Sequence, residues 1–528
     1  MDLDEVLFWA VGLSCAFNLV SIWRRQARSA RSWLVVFATV LVVLLVGKWL
    51  QSSLVLRLGG VLWLLFVVAP GILSRVFQRR MLRENYAAAR KWATAIRVLH
   101  PARGWVELPV VLEALDLAQR GAMQAAEQRL AQYRNTRSST GVLAMISYFR
   151  LTQRWEELLE WLEDMGPEVL EAVEWQAVRM RALGETGQVH RLFEVYAAFQ
   201  EPLARHNHPS LQAQCRLVLF AFGGRRDWVE RLLSESMPSL AESSRVYWLA
   251  TADQVAGRTD IARNQLEGLL PQATAPMVRG IERRLEQLAA PASALTPMER
   301  SLLEAAASEH SQEVRFGGQG SQGPRVAMVT RILIAINVVM FGVEASLGGT
   351  TSMEALYRLG AVFPALVQEG AWWRLLAANF LHFGFLHLFF NMLALWFLGP
   401  FLERALGSKR FLLTYLGAGV GAMAIVCFAW DSSDPIQLTV GASGCVMGVI
   451  GGTAALMWRG WRRERASVAR QRLRVLVSIV LGQTVLDALI PQVSMTAHLA
   501  GVGIGFAIAL LLRDRLAPAA GESVQPSA

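Results

Sequence analysis

The chain alternates between long apolar runs and a charged middle in which apolar residues recur at helical spacing. Three apolar runs come first, at about 5–23, 32–50 and 55–75. Six more follow, near 326–346, 376–400, 411–430, 442–460, 472–490 and 495–513. Each is close to the roughly 20 residues that an α-helix needs to cross a bilayer core. From about 80 to 320 charges are frequent and strand signals are scarce. Turn-like points recur there at Gly121, around Arg154, and at Gly187, Gly224 and Gly257, about every 33 residues with one interval nearer 37. The glycine-rich stretch from Phe316 to Pro324 reads as a flexible linker. The expected fold is all-α: three membrane helices over 1–78, a soluble helical domain over 79–315, a linker over 316–325, six membrane helices over 326–515 and a disordered tail over 516–528.

Loop charges orient this arrangement. Arg24, Arg25, Arg28 and Arg31 follow the first run, and Arg75, Arg79, Arg80 and Arg83 follow the third. Arginine and lysine favour the cytoplasmic side. In the second half Arg404, Lys409 and Arg410 follow the second run, an arginine cluster from Arg459 to Arg474 follows the fourth, and Arg513 and Arg515 follow the sixth. The other loops carry Asp431, Asp434 and Pro435, or the short Pro491-Gln492-Val493. The alternation holds through nine spans, with the N-terminus outside and the helical domain and C-terminus in the cytoplasm. The first residues, Met1-Asp2-Leu3-Asp4-Glu5, lack the basic start of a cleaved signal, so the first run is expected to stay in the membrane.

Composition narrows the function classes. The chain has 528 residues, 53% of them hydrophobic, and a mean hydropathy of +0.33, high for a soluble protein. The net charge of +10 invites a nucleic-acid reading, but the arginines flank apolar runs instead of forming one basic domain. Cys15, Cys215, Cys427 and Cys445 make no CxxC pair, so neither a disulfide framework nor a metal site is expected. His206 and His208 share a polar loop and read as solvated. No cofactor is implied.

Candidate chemistry lies in the second half. Val440-Gly441-Ala442-Ser443-Gly444 opens the fourth run, and Ala497-His498 opens the sixth. Serine is common in membrane helices as interhelical glue. A buried histidine is costly there and suggests function, and serine with histidine is the minimum kit for a nucleophile and its base. Both runs go from outside to inside, so Ser443 and His498 share a depth. His387 and Asn391, four apart, share a helix face about 11 residues into the second run. Such a pair either hydrogen-bonds neighbouring helices or holds an oxyanion. Gly444, Gly448 and Gly452, and Gly501 and Gly505, recur at a spacing that lets helices approach closely.

These residues carry a resemblance to the rhomboid family of intramembrane serine proteases over about 326–513. Trp373-Arg374 is similar to that family's Trp-Arg loop motif, and Phe380-Leu381-His382 with His387 to Met392 to its His-and-Asn helix. Gly399, Glu403 and Gly407 resemble its Gly-x-x-x-Glu-x-x-x-Gly, Gly441 to Gly444 its Gly-x-Ser-Gly, and Ala497-His498 with Gly501 and Gly505 its histidine helix. The resemblance implies a Ser443–His498 dyad without a third acid. It implies His387, Asn391 and the Ser443 N–H as oxyanion donors. Asp487 sits where members often carry an acid and is read as structural. Cys445 replaces the more usual alanine or valine, and Met447 the aromatic that often lies beside the histidine. The implied substrates are transmembrane proteins within the lipid bilayer of a bacterial-type cytoplasmic membrane. The middle domain resembles tetratricopeptide-like helix pairs, whose concave faces suit a cytoplasmic protein partner. The alternative is a non-proteolytic scaffold that binds and delivers membrane clients. A transporter would show inverted repeats with interrupted helices, and no such symmetry is visible.

Overall fold

The computed structural model describes residues 3–25, 31–99, 103–134, 136, 138–206, 209–286, 295–317, 327–429, 438–489 and 494–516. Arg28, His208, Arg325, Asp431, Asp434, Pro435, Pro491 to Val493, the linker from 318 to 325 and the tail from 517 onward lie outside them. Among the described residues every regular element is a helix, apart from one isolated antiparallel bridge between Val362 and Thr439. It divides into two units, Met1–Ala307 and Ser308–Ala528.

The first unit begins with α1 (3–25), α2 (Arg31–Trp49) and α3 (Ser53–Leu82). They meet through Val11, Cys15, Phe37, Val40, Leu44 and Leu56. A Cβ on Gly59 would stand 2.7 Å from a Leu44 methyl, so the glycine sets how closely α2 and α3 pack. The helix α3 runs past the apolar stretch, and its last residue ties into the helical domain: the Leu82 carbonyl accepts the Ala241 N–H at 3.2 Å.

Beyond α3 the chain folds as helix pairs. Arg103–Gln119 pairs with Met123–Ala131, Ser139–Thr152 with Trp155–Asp164, and Gln176–Glu185 with Val189–His206. Pro209–Phe222 pairs with Arg226–Glu235, and Glu242–Val255 with Thr259–Leu269. Each pair turns at a residue of positive φ: Gly121, Gln153, Gly187, Gly224 and Gly257. Leu192, Phe193, Phe220, Phe222, Leu232 and Leu233 are among the large residues of the main core. One buried ion pair crosses this unit, Arg284 to Glu185 at 2.6 Å, with the Tyr247 hydroxyl beside it.

The second unit holds six long helices: α4 (Met328–Ser346), α5 (Phe385–Leu406), α6 (Ser408–Phe428), α7 (Ser443–Glu464), α8 (Ser467–Leu489) and α9 (Met495–Leu511). The first three of these and Ser53–Leu82 are long and apolar enough to cross a membrane; Leu7–Val20, Trp33–Trp49 and Met495–Leu511 are apolar but shorter. The chain is an all-α polytopic membrane protein. The helix α7 is buried along most of its length, from Gly444 to Gly460. Other helices surround it, so small residues can replace lipid-facing apolar ones, and its glycines and terminal arginines lower its mean hydropathy.

Two places differ from the sequence reading. Residues 376–384 are not the start of α5. A helical turn (Arg374–Ala377) and a 3-10 turn (Ala378–Phe380) lead into an irregular stretch, and α5 begins at Phe385, after Gly384 with φ +86°. Phe316 and Gly317 are helical, and Phe316 is buried against Gly460 in the second unit. Beside it Arg315 pairs with Glu464 at 2.8 Å.

Candidate active site

Ser443 is the first residue of α7. The chain reaches it through Gly441, whose φ of +127° favours glycine. Two backbone bonds of 3.0 Å join Val362 and Thr439, and the Gly441 N–H donates to the Ala378 carbonyl at 2.9 Å. The segment before the serine is therefore laced to the loop before α5. Arg374 organises that loop. Its guanidinium donates to the carbonyls of Tyr357 at 2.9 Å and Ala361 at 2.8 Å, and lies over the rings of Trp373 and Tyr357. The start of a helix leaves backbone N–H groups without intrahelical acceptors and concentrates positive potential there. A reaction at Ser443 Oγ would develop negative charge next to such donors.

The helices α7 and α9 touch backbone to backbone. A Cβ on Gly501 would stand 2.3 Å from the Gly444 carbonyl oxygen, one on Gly505 2.1 Å from that of Gly448, and one on Gly451 2.0 Å from that of Val502. On the other side of α7, a Cβ on Gly448 would fall 2.2 Å from the Ala418 Cβ. This seam brings the turn that carries Ser443 against the turn that carries His498. His498 is the fourth residue of α9 and is buried. Ser494 caps the helix by accepting the Ala497 N–H at 3.2 Å.

His387 and Asn391 are the third and seventh residues of α5, not about 11 residues in, because the helix starts later than hydropathy suggests. The shift matters. The serine, the base candidate and the oxyanion candidates all sit near helix N-termini. A Cβ on Gly441 would be 2.7 Å from the His387 ring and 3.7 Å from Ser443 Oγ, so the imidazole and the hydroxyl converge on the space that glycine leaves open. The Asn391 amide nitrogen is buried and has no hydrogen-bond partner. The His382 ring packs edge-on against that of His387, with centroids 5.2 Å apart, and the His382 N–H donates to Glu344 at 3.0 Å.

The remaining motif residues build the frame. Glu403 accepts the N–H groups of Val329 (2.9 Å) and Thr330 (2.8 Å), the Thr330 hydroxyl (2.7 Å) and the Ser408 hydroxyl (3.0 Å). A carboxylate on these donors closes the N-terminus of α4. Gly399 packs on Thr330, and Gly407, at φ +84°, makes room for Arg515. Cys445 is buried, and its thiol donates to Asn379 Oδ1 at 3.2 Å. Met447 is buried in the same core.

Asp487, which the sequence reading takes as structural, lies against the base candidate. Its Oδ2 lies 2.7 Å from His498 Nδ1, and its Oδ1 accepts Gln483 Nε2 at 2.7 Å. Both side chains of the His498–Asp487 pair are buried. The available signal was an acid within an apolar helix, which is costly without a partner.

A rhomboid-domain family profile matches residues 369–515. The chain is 35% identical over 184 residues to the rhomboid protease GluP of Bacillus subtilis, covering 35% of this chain and 34% of GluP. It is 33% identical over 161 residues to RHOMBOID-like protein 5 of Arabidopsis thaliana, covering 30% of this chain and 50% of that protein. It is 32% identical over 145 residues to YdcA of Bacillus subtilis, which carries a provisional rhomboid-protease name; the match covers 28% of this chain and 69% of YdcA. The chain thus spans half or less of the length of GluP and RHOMBOID-like protein 5. The profile spans the stretch that holds Trp373-Arg374, Ser443 and His498, and the match to YdcA covers more than two thirds of that protein at 32% identity: this chain belongs to the rhomboid family.

Proposed function

We propose that this protein is an intramembrane serine endopeptidase that hydrolyses peptide bonds of transmembrane substrates. Ser443 Oγ attacks the scissile carbonyl carbon while His498 takes the hydroxyl proton. His498 then protonates the leaving amine, and water attacks the resulting ester, again losing its proton to His498. His387, Asn391 and the Ser443 N–H donate to the oxyanion. The observation that carries this reading is the meeting of three helix starts: the His387 ring and Ser443 Oγ flank Gly441, and the glycine seam sets Ser443's turn against that of His498. The unpartnered Asn391 amide is a donor in reserve for a charge that exists only during reaction.

The seat of this activity is the cytoplasmic membrane of a bacterial-type cell, with the N-terminus outside and the helical domain and C-terminus in the cytoplasm. The basic loops support that orientation. The domain over 79–315 recruits substrate tails or a cytoplasmic protein through its tetratricopeptide-like paired helices. Labelling of the detergent-purified protein with a fluorophosphonate probe tests the chemistry. Wild type should label, and Ser443→Ala and His498→Ala should not. A folded wild type that fails to label would favour a scaffold that delivers membrane clients without cutting them.

A further inference from the structure

His498 meets an ionisable group through its other ring nitrogen, and the contact is built rather than incidental. The His498 Nδ1 to Asp487 Oδ2 distance is 2.7 Å, short enough for a charge-assisted hydrogen bond. The Asp487 side chain is 1% exposed and that of His498 8%. The second carboxylate oxygen is held by Gln483 Nε2, one helical turn earlier on α8. A carboxylate is an acceptor only, so this contact requires the imidazole proton on Nδ1. Nε2 is left with its lone pair, which is the form a general base needs.

Resting on the Ser443–His498 reading above, we infer that Asp487 completes the machinery as a positioning residue, making the unit a Ser–His–Asp set instead of a dyad. Its carboxylate holds the His498 ring in orientation and tautomer. When Nε2 takes the Ser443 proton the ring becomes a cation, and Asp487, already beside Nδ1, offsets that charge where little water can. The Nδ1 proton stays on the imidazole and Asp487 stays ionised throughout. The Nε2 proton leaves with the amine. Gln483 fixes the carboxylate, so the hydrogen-bonded chain runs from Gln483 through Asp487 to His498, and in the proposed reaction Ser443 is the next partner.

The rival is a plain interhelical bond that fastens α8 to α9. Asp487→Asn separates the two, because it keeps the size and a hydrogen-bonding group but loses the charge and the fixed tautomer. The rate constant for inactivation at saturating fluorophosphonate and the probe's apparent binding constant are measured on the full-length protein in detergent, for wild type and for Asp487→Asn, Asp487→Glu and Gln483→Leu. Ser443→Ala serves as the blank, and thermal melting checks the fold. Losing the triad carboxylate in serine proteases costs about 10⁴ in turnover, so the inactivation constant of Asp487→Asn should fall by about 10²–10⁴ with probe binding within about threefold. Asp487→Glu should recover at least about tenfold of that loss, and Gln483→Leu should lose about three- to tenfold, since it disturbs only the orienter. Wild-type inactivation by folded Asp487→Asn overturns the inference. So does a loss confined to probe binding or matched by the unfolded fraction. If Asp487→Asn does not fold, an unchanged inactivation constant in Gln483→Leu overturns it. Labelling that survives in Ser443→Ala, or is absent from wild type, instead sinks the protease reading and this inference with it.

Discussion

The two units solve the same problem, burying helices against helices, by opposite means. In the paired helices of the first unit the contacts are large side chains: Trp155, Phe193, Phe220 and Phe222 are almost wholly buried. In the seam between α7 and α9 the contacts are bare backbone, with Gly501 and Gly505 lying on the carbonyls of Gly444 and Gly448. Two solvents would produce this difference. Water rewards every apolar side chain removed from it, so a domain in water gains most by burying large groups. Lipid is as apolar as leucine, so membrane helices gain mainly through close packing and hydrogen bonds, which small residues permit. Glycines also play different parts. Those of the paired helices mostly sit at turns, with open space where a Cβ would go at Gly121, Gly187 and Gly257; those of the seam sit where no Cβ fits.

Substitutions sharpen this contrast, and their effects should fall in a definite order. Gly505→Val should be the most damaging. Its Cβ alone would collide with backbone at 2.1 Å, and backbone cannot rotate away, so the cost should exceed the ~1–3 kcal/mol usual for overpacking. Fluorophosphonate labelling of Ser443 should disappear along with the fold of the second unit, seen as trypsin sensitivity around α9. Labelling at the wild-type level would mean that the seam between α7 and α9 has room for a side chain at Gly505. Trp155→Ala comes next, with a loss of about 3–5 kcal/mol for a fully buried indole. It should lower the melting transition of the helical domain while labelling of Ser443 persists. Gly187→Ala should have the smallest effect. Nothing lies within 4 Å of the new methyl, so only the strain of φ +76° remains, about 1–2 kcal/mol. Gly187→Asn should cost less than Gly187→Ala, since asparagine tolerates that conformation. A larger loss in Gly187→Ala than in Trp155→Ala would invert the contrast.

Much of the molecule is legible in its sequence. Among the described residues each apolar run lies mainly in a helix, because long apolar segments admit few other ways to satisfy their backbone. The turns at Gly121, Gly187, Gly224 and Gly257 were visible because positive φ needs glycine; the turn near Arg154 was visible only approximately, because Gln153 adopts φ +57° without that signature. Ser443, His498, His387 and Asn391 stood out as polar groups in apolar surroundings. The depth of His387 was misjudged, since hydropathy cannot distinguish a membrane helix from the apolar turns at 374–380 that precede it.

What the sequence by itself determined is therefore local: which segments are helical, where they turn, which ends face basic loops, and which side chains carry reactive groups. Periodicity, chain stiffness and the cost of burying charge all act over a few residues and leave their mark in the order of letters. The tertiary structure decided which helix starts meet. No local rule says that Gly441 stands between His387 and Ser443, or that Glu403 closes the N-terminus of α4. Asp487 is the clearest case. It lies 11 residues before His498 on a different helix, and only the packing of α8 beside α9 turns an acid in an apolar run into the partner of an imidazole.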